Sequence, residues 1–157
     1  MIERTRLALA LFEREAVEGI LHCGDVGGLE VLQLFVGKMF WFVWGNTDHP
    51  DASWRRALEA RGMVWPDSIP LRLELAGRRI VVAHGHERDF RQIFRDPQAD
   101  YLFYGHSHAR ALARAAGCTI VNPGAIQRTS LATVAIVDLA SGKVRHVDLH
   151  GQPVTAD

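Results

Sequence analysis

Four short apolar runs in this chain each end at a glycine with a polar donor beside it. "ILHCGD" delivers Asp25, "FWFVWGN" delivers Asn46, "IVVAHGH" delivers His84, and "YLFYGH" delivers His106, with His108 two residues on. A carboxylate, an amide oxygen and three imidazoles make a mixed oxygen and nitrogen ligand set. Such a set suits Mn, Fe, Co, Ni or Zn better than a calcium site or a thiolate zinc site. A carboxylate that bridges two cations can build a two-metal clamp for phosphoryl transfer. One "GD", "GN" or HxH alone reads as a turn or a surface pair. Four such ends in succession are hard to explain by turns, and they point to a metal.

The elements that must carry these donors follow from periodicity. Residues 3–18 place Leu7, Leu11 and Val17 at helical spacing, with Gly19 as the stop. "ILHC" is a short strand, "LEVLQLF" a second helix closed by Gly37, and "MFWFVW" an aromatic, buried strand. "DASWRRALEARG" reads as a helix capped by Asp51 or Ser53 and stopped at Gly62. Alternating helices and strands imply a mostly parallel sheet with crossover helices. The second half is richer in strands: "LRLEL", "IVVAHGH", "DYLFY", "ARALARA", "CTIVNPG", "LATVAIVDL" and "KVRHVDL", with a short helix around residues 88–95 and a hairpin signal at "LASGK". The expected layout is two stacked sheets with helices on the outer faces. In open α/β sheets, ligands bind beyond the carboxyl ends of the strands, where the four donor-bearing ends lie.

At 157 residues the chain is expected to form a single domain spanning 1–157. A formal net charge of zero gives no reason to expect a nucleic-acid polymer or an anionic membrane as partner. The apolar stretch at residues 31–45 is broken by Gly37 and Lys38 and is too short to span a bilayer. "MIERTRLALALFERE" reads as an amphipathic helix rather than a signal peptide, so the cytoplasm is the default location. Cys23 and Cys118 each adjoin an apolar run and are expected to be reduced and structural. His22 is expected to pack within its strand and Trp41, Phe42 and Trp44 in the core, with His146 and His150 at the surface. "NPGAIQR" could bring Asn122 and Arg128 towards the rim. Arg128 then either grips a phosphate or is a solvated arginine beside a turn. Neither a G-x-G-x-x-G fingerprint nor a Walker loop is present.

The order "GD", "GNxD", "HGH", "GHxH", "NPG" resembles that of the calcineurin-like metallophosphoesterases, most of all their small bacterial and archaeal single-domain phosphodiesterase branch. The resemblance runs from the first helix to the last strand. It implies a four-layer α/β/β/α sandwich with a dinuclear metal centre at the carboxyl rim. It also implies hydrolysis of a small or nucleotide-like phosphomonoester or phosphodiester by direct attack of metal-bound hydroxide. By motif, Asp25 resembles the bridging carboxylate, Asn46, His84 and His106 the remaining ligands of one metal, and His108 a ligand of the other. Up to two divalent ions are implied, manganese first, with Ni, Fe, Co or Zn as alternatives. Asn46 would also hold the phosphate, and Arg128 is its candidate companion.

Two departures from the family pattern carry expectations of their own. The family opens with an apolar strand ending in D-x-H, and this chain contains neither that strand nor its ligands. The helix at residues 3–18 should follow that motif. The sequence is therefore expected to begin just after it, through a late-called start codon or a truncation, leaving an unpaired sheet edge that favours a homodimer or higher oligomer. Many relatives also place a histidine in the middle of GNxD, where it can protonate the leaving group; here that residue is Thr47. His86, and after it His49, are the candidates to replace it, and phosphodiesters or good leaving groups would suffer least. Asp48 is expected to orient a neighbour or cap the next helix. The rival expectation is a catalytically impaired metal-binding or protein-interaction scaffold of the same fold, as in the retromer coat, because D-x-H is absent.

Overall fold

A computed structural model describes residues 1–156. Helix α1 (Ile2–Arg14) leads into β1 (Ile20–His22). Then come α2 (Leu29–Leu32), a 3-10 turn at Gln33–Phe35, β2 (Phe40–Phe42) and α3 (Ala52–Glu59). The second half runs β3 (Leu71–Leu75), β4 (Arg78–Val82), α4 (Phe90–Arg95), β5 (Tyr101–Phe103), β6 (Arg110–Ala115), β7 (Cys118–Pro123), β8 (Thr133–Asp138), β9 (Lys143–Asp148) and β10 (Pro153–Val154). The first helix stops earlier than Gly19, because Ala16 turns into the left-handed region at φ 52°. Helix α3 is capped by Asp51, whose carboxylate accepts from the Ser53 and Trp54 amides at 2.7 and 3.1 Å.

One sheet has the order β3-β4-β5-β7-β6, with β4, β5 and β7 parallel and the flanking β3 and β6 antiparallel. The facing layer comes in two pieces, the parallel pair β1-β2 and the antiparallel trio β10-β9-β8. Among the described residues β1 and β2 pair only with each other, so β1 keeps one edge without a strand partner.

Strand alternation explains the layering. In β4, Ile80 and Val82 point inward and meet Cys23, Val43, Tyr101, Phe103 and Val121 between the sheets. Val81 and the following Ala83 point the other way and meet Leu102, Ile120 and Ile93 of α4. On the opposite flank, α1 sets Ala8 and Leu11 against Val134 and Val147. Leu9 of the same helix packs on Val31 and Phe35. Leu58 of α3 closes over Phe42 and Trp44. Each such aliphatic side chain contributes about 1.5–3 kcal/mol on burial. The result is helix, sheet, sheet, helix, in agreement with the expected four-layer sandwich.

Two expectations about single residues change. Trp41 is half-buried, whereas Phe42 and Trp44 are core. His146 is buried rather than at the surface: its Nε2–H donates to the Asn122 carbonyl at 2.7 Å, because the C-terminal strands lie against the end of β7. Both cysteines are free and buried, as expected.

Candidate metal centre

The carboxyl ends of β1, β2, β4 and β5 meet at one rim, and each releases its donor there. Asp25, Asn46, His84 and His106 therefore arrive from two different sheets. His84 is the pivot, at 1% exposure. Its Nδ1 lies 2.6 Å from the Cys23 carbonyl, which has no proton to offer, so Nδ1–H donates and Nε2, where it carries no proton, presents a lone pair. Around that lone pair stand Asn46 Oδ1 at 3.0 Å, His106 Nδ1 at 3.3 Å and Asp25 Oδ2 at 3.5 Å. His106 Nδ1 is also 3.0 Å from Asn46 Oδ1.

This convergence tests whether a cation fits. A buried lone pair facing an amide oxygen and a carboxylate oxygen is repulsive unless a proton or a metal cation stands among them. Metal–ligand bonds of about 2.0–2.1 Å at right angles put neighbouring donors about 3 Å apart, which is the spacing of the Asn46, His84 and His106 atoms. Among the described residues no group of three or more His, Cys, Asp or Glu side chains closes a metal cage by itself. The set here differs in that one of its four members is an amide, and Asp25 joins it through His84. Charge, donor type and spacing fit one divalent ion on Asp25, Asn46, His84 and His106.

The surroundings hold this geometry firmly. The Asp48 carboxylate accepts from the amides of Val26, Gly27 and Gly45 at 3.2, 3.4 and 2.8 Å, clamping the "GD" and "GN" turns together. Thr47 N–H donates to Asp25 Oδ1 at 3.0 Å. Partial burial would raise the Asp25 pKa. The Thr47 contacts and the neighbouring His84 and His106 outweigh it and hold the carboxyl below its usual range. Burial pushes the Cys23 thiol up to about 12, with the Glu87 charge adding to the effect, so this cysteine is inert beside the rim. Asp25, His106 and His108 adopt positive φ of 55°, 66° and 57°, and Arg128 follows at 50°. Non-glycine residues in that region carry about 1–3 kcal/mol of strain and concentrate at functional sites. Four of the eight such residues here are ones that the sequence singled out.

Among the described residues no hydrogen bond, ion pair or ring contact joins His108 to the four-donor group. It opens with Asp25, Thr47, His49, Trp54 and Arg128 onto an adjoining cleft of about 410 Å³. Arg128 is thus at the rim, on the cleft side. His86 is exposed, with its ring centre 5.1 Å from His84 and 6.3 Å from His106. Sequence reasoning missed Glu87. Its carboxylate accepts from the His84 and Gly85 amides at 2.6 and 2.7 Å and so fixes the "HGH" turn; an acidic residue three positions after His84 was the available signal. Asn122 is fully buried and donates to the Gly105 carbonyl and Ser107 Oγ at 3.0 and 3.1 Å, which steadies the "GHSH" turn from behind.

A family model described as the calcineurin-like phosphoesterase superfamily domain matches residues 1–142. The chain belongs to this superfamily. The family is described by its phosphoesterase activity, consistent with a hydrolase of phosphoric esters, and the motif order read from the sequence is that family's. The chain is 25% identical over 152 residues to a phosphodiesterase of Methanocaldococcus jannaschii, covering 92% of this chain and 90% of that one. A solved archaeal phosphodiesterase superposes with a TM-score of 0.79 at 23% identity, over 93% of this chain and 92% of the other. The Escherichia coli phosphoesterase Yfce gives 0.69 at 18% identity, over 99% and 92%. The calcineurin-like fold is therefore shared with both. Among the described residues no helix is long and apolar enough to cross a membrane.

Proposed function

We propose that this chain is a metal-dependent phosphodiesterase of the cytoplasm, acting as one domain on a small or nucleotide-like phosphate ester. The observation that carries the reading is the convergence of Asn46 Oδ1, His106 Nδ1 and Asp25 Oδ2 on the His84 Nε2 lone pair, within 3.0–3.5 Å. A divalent transition metal held there, manganese foremost, supplies a Lewis acid for the phosphoryl oxygen and an activated water. His108, together with Asp25, would hold a second ion on the cleft side.

The chain's own residues do the rest. Asn46 turns its oxygen towards the histidines, which leaves its amide NH2 to donate to a phosphate oxygen. Arg128 faces the same cleft as Asp25 and pairs with phosphate from the other side. His86 stands beside the histidine pair without joining it and would protonate the leaving oxygen, with His49, which lines the cleft, as its alternative. The open edge of β1 favours self-association; light scattering that shows a clean monomer removes that part.

The test is hydrolysis of bis(p-nitrophenyl) phosphate against p-nitrophenyl phosphate, after chelation and after manganese is restored. Activity that disappears with chelator, returns with manganese and favours the diester supports the reading. Metal binding without turnover of either ester points to the scaffold alternative instead.

A further inference from the structure

Trp54 sits in the first turn of α3 and opens onto the cleft shared by Asp25, His108 and Arg128. Its position is unusually well braced. The Trp44 ring meets it at 6.1 Å with an interplanar angle of 63°, Trp65 packs on Trp44 at 4.9 Å, and the Arg55 guanidinium lies 5.6 Å from the Trp65 ring centre. The Asp51 cap holds the Trp54 amide at 3.1 Å and sets the turn that aims the side chain. Leu58, one helical turn further on, is completely buried, whereas Trp54 is only half-buried. The helix thus anchors on Leu58 and turns part of a rigid indole towards the cleft. A cleft of about 410 Å³ lies in the range that holds small organic ligands.

We propose that Trp54 is a stacking platform for a planar aromatic group carried by the phosphate ester, namely a nucleobase. The inference rests on the phosphate-binding reading of the rim above: phosphate at Asn46 and Arg128, base against Trp54. A rigid indole loses little freedom on contact, and base–aromatic stacking contributes about 1–3 kcal/mol per base, whatever the base. The platform therefore selects nucleotides over sugar phosphates without selecting among nucleotides.

The test compares adenosine 5′-monophosphate with ribose 5-phosphate by calorimetric titration of the manganese-loaded full chain. The two ligands share phosphate and sugar and differ by the base. The nucleotide is expected to bind roughly tenfold more tightly. Trp54→Leu, which keeps apolar packing and removes the ring, brings the ratio close to one with ribose 5-phosphate affinity unchanged, and Trp54→Phe keeps most of the preference. Equal affinities in the unaltered protein, or a Trp54→Leu variant that weakens both ligands alike, overturn the platform and leave the phosphate site standing. If neither ligand binds the unaltered protein, the phosphate-binding reading fails and the platform with it.

Discussion

Gly45 precedes Asn46, and no side chain fits at its position. A Cβ added there would stand 2.1 Å from Asp25 Oδ1 and 2.2 Å from the Asp25 backbone nitrogen. Opening the first contact to the 3.4 Å of ordinary van der Waals approach displaces the carboxylate by about 1.3 Å. A rotamer change does not relieve the clash, since the backbone nitrogen is in the way as well. The whole "GD" turn must move, and the Asp48 clamp across Val26, Gly27 and Gly45 resists it. Gly45→Ala is therefore expected to fold, with a loss of about 1–3 kcal/mol from overpacking, seen as a melting temperature lower by about 2–4 °C per kcal/mol. Hydrolysis of bis(p-nitrophenyl) phosphate should fall by about 10²-fold, the usual penalty for misplacing a reacting group by 1 Å. Calorimetric titration with manganese should show weaker binding in step. A Gly45→Ala variant with activity and manganese affinity within threefold of the parent would refute the claim that the turn is held against Asp25.

Other substitutions test other parts of the same account. Asp48→Ala leaves three amides without their shared acceptor and should lower manganese affinity about 10–100-fold; competition with a fluorescent chelator reads this directly. Glu87→Leu strips the acceptor from the His84 and Gly85 amides and should reduce stability by about 1–3 kcal/mol in urea unfolding, with Glu87→Gln recovering part of it. His22 packs edge-on to Phe35 with a buried, unpartnered Nδ1. Burial lowers its pKa from 6.5 to about 4, against the upward pull of the Asp48 and Asp25 charges. The folded state thus prefers the neutral ring: its contribution is complete above pH 6.5 and is lost as the pH falls through 4. The gap amounts to about 3 kcal/mol. Urea midpoints at pH 7.5 and 4.5 should differ less in His22→Leu than in the parent; an equal drop in both would remove His22 from the acid response.

The legible part of the molecule was its punctuation. Apolar runs stopped by glycine located the strands, and the residue beside each glycine marked the rim, because a chain can deliver a donor to a sheet's carboxyl edge only where it turns. Periodicity was less informative where packing decides. Leu7 fits a helical stripe yet is exposed, and Trp41 sits in an aromatic run yet is half-buried. His146 lies in an alternating strand whose register alone says nothing about Asn122, which is 24 residues away. The groups that steady the site escape sequence reading for a similar reason. Glu87 and Asn122 act on backbone amides, hydroxyls and carbonyls, and such partners leave no residue-type signature. Trp54 looked like any large residue on an amphipathic helix until the fold put it beside Asp25.

The hydrogen bond from the His84 ring to the Cys23 carbonyl runs between two sheets that share no ladder, and the Asn46–His106 contact crosses the same seam. Anything gripped by the four donors acts as a rivet through both plates. Its binding free energy appears as resistance to shear between the sheets, growing with ligand concentration as linkage requires. Amide exchange at the ends of β1 and β4 should slow together when the rivet is set. The two layers thereby become a single mechanical body at the one place where alignment matters for chemistry.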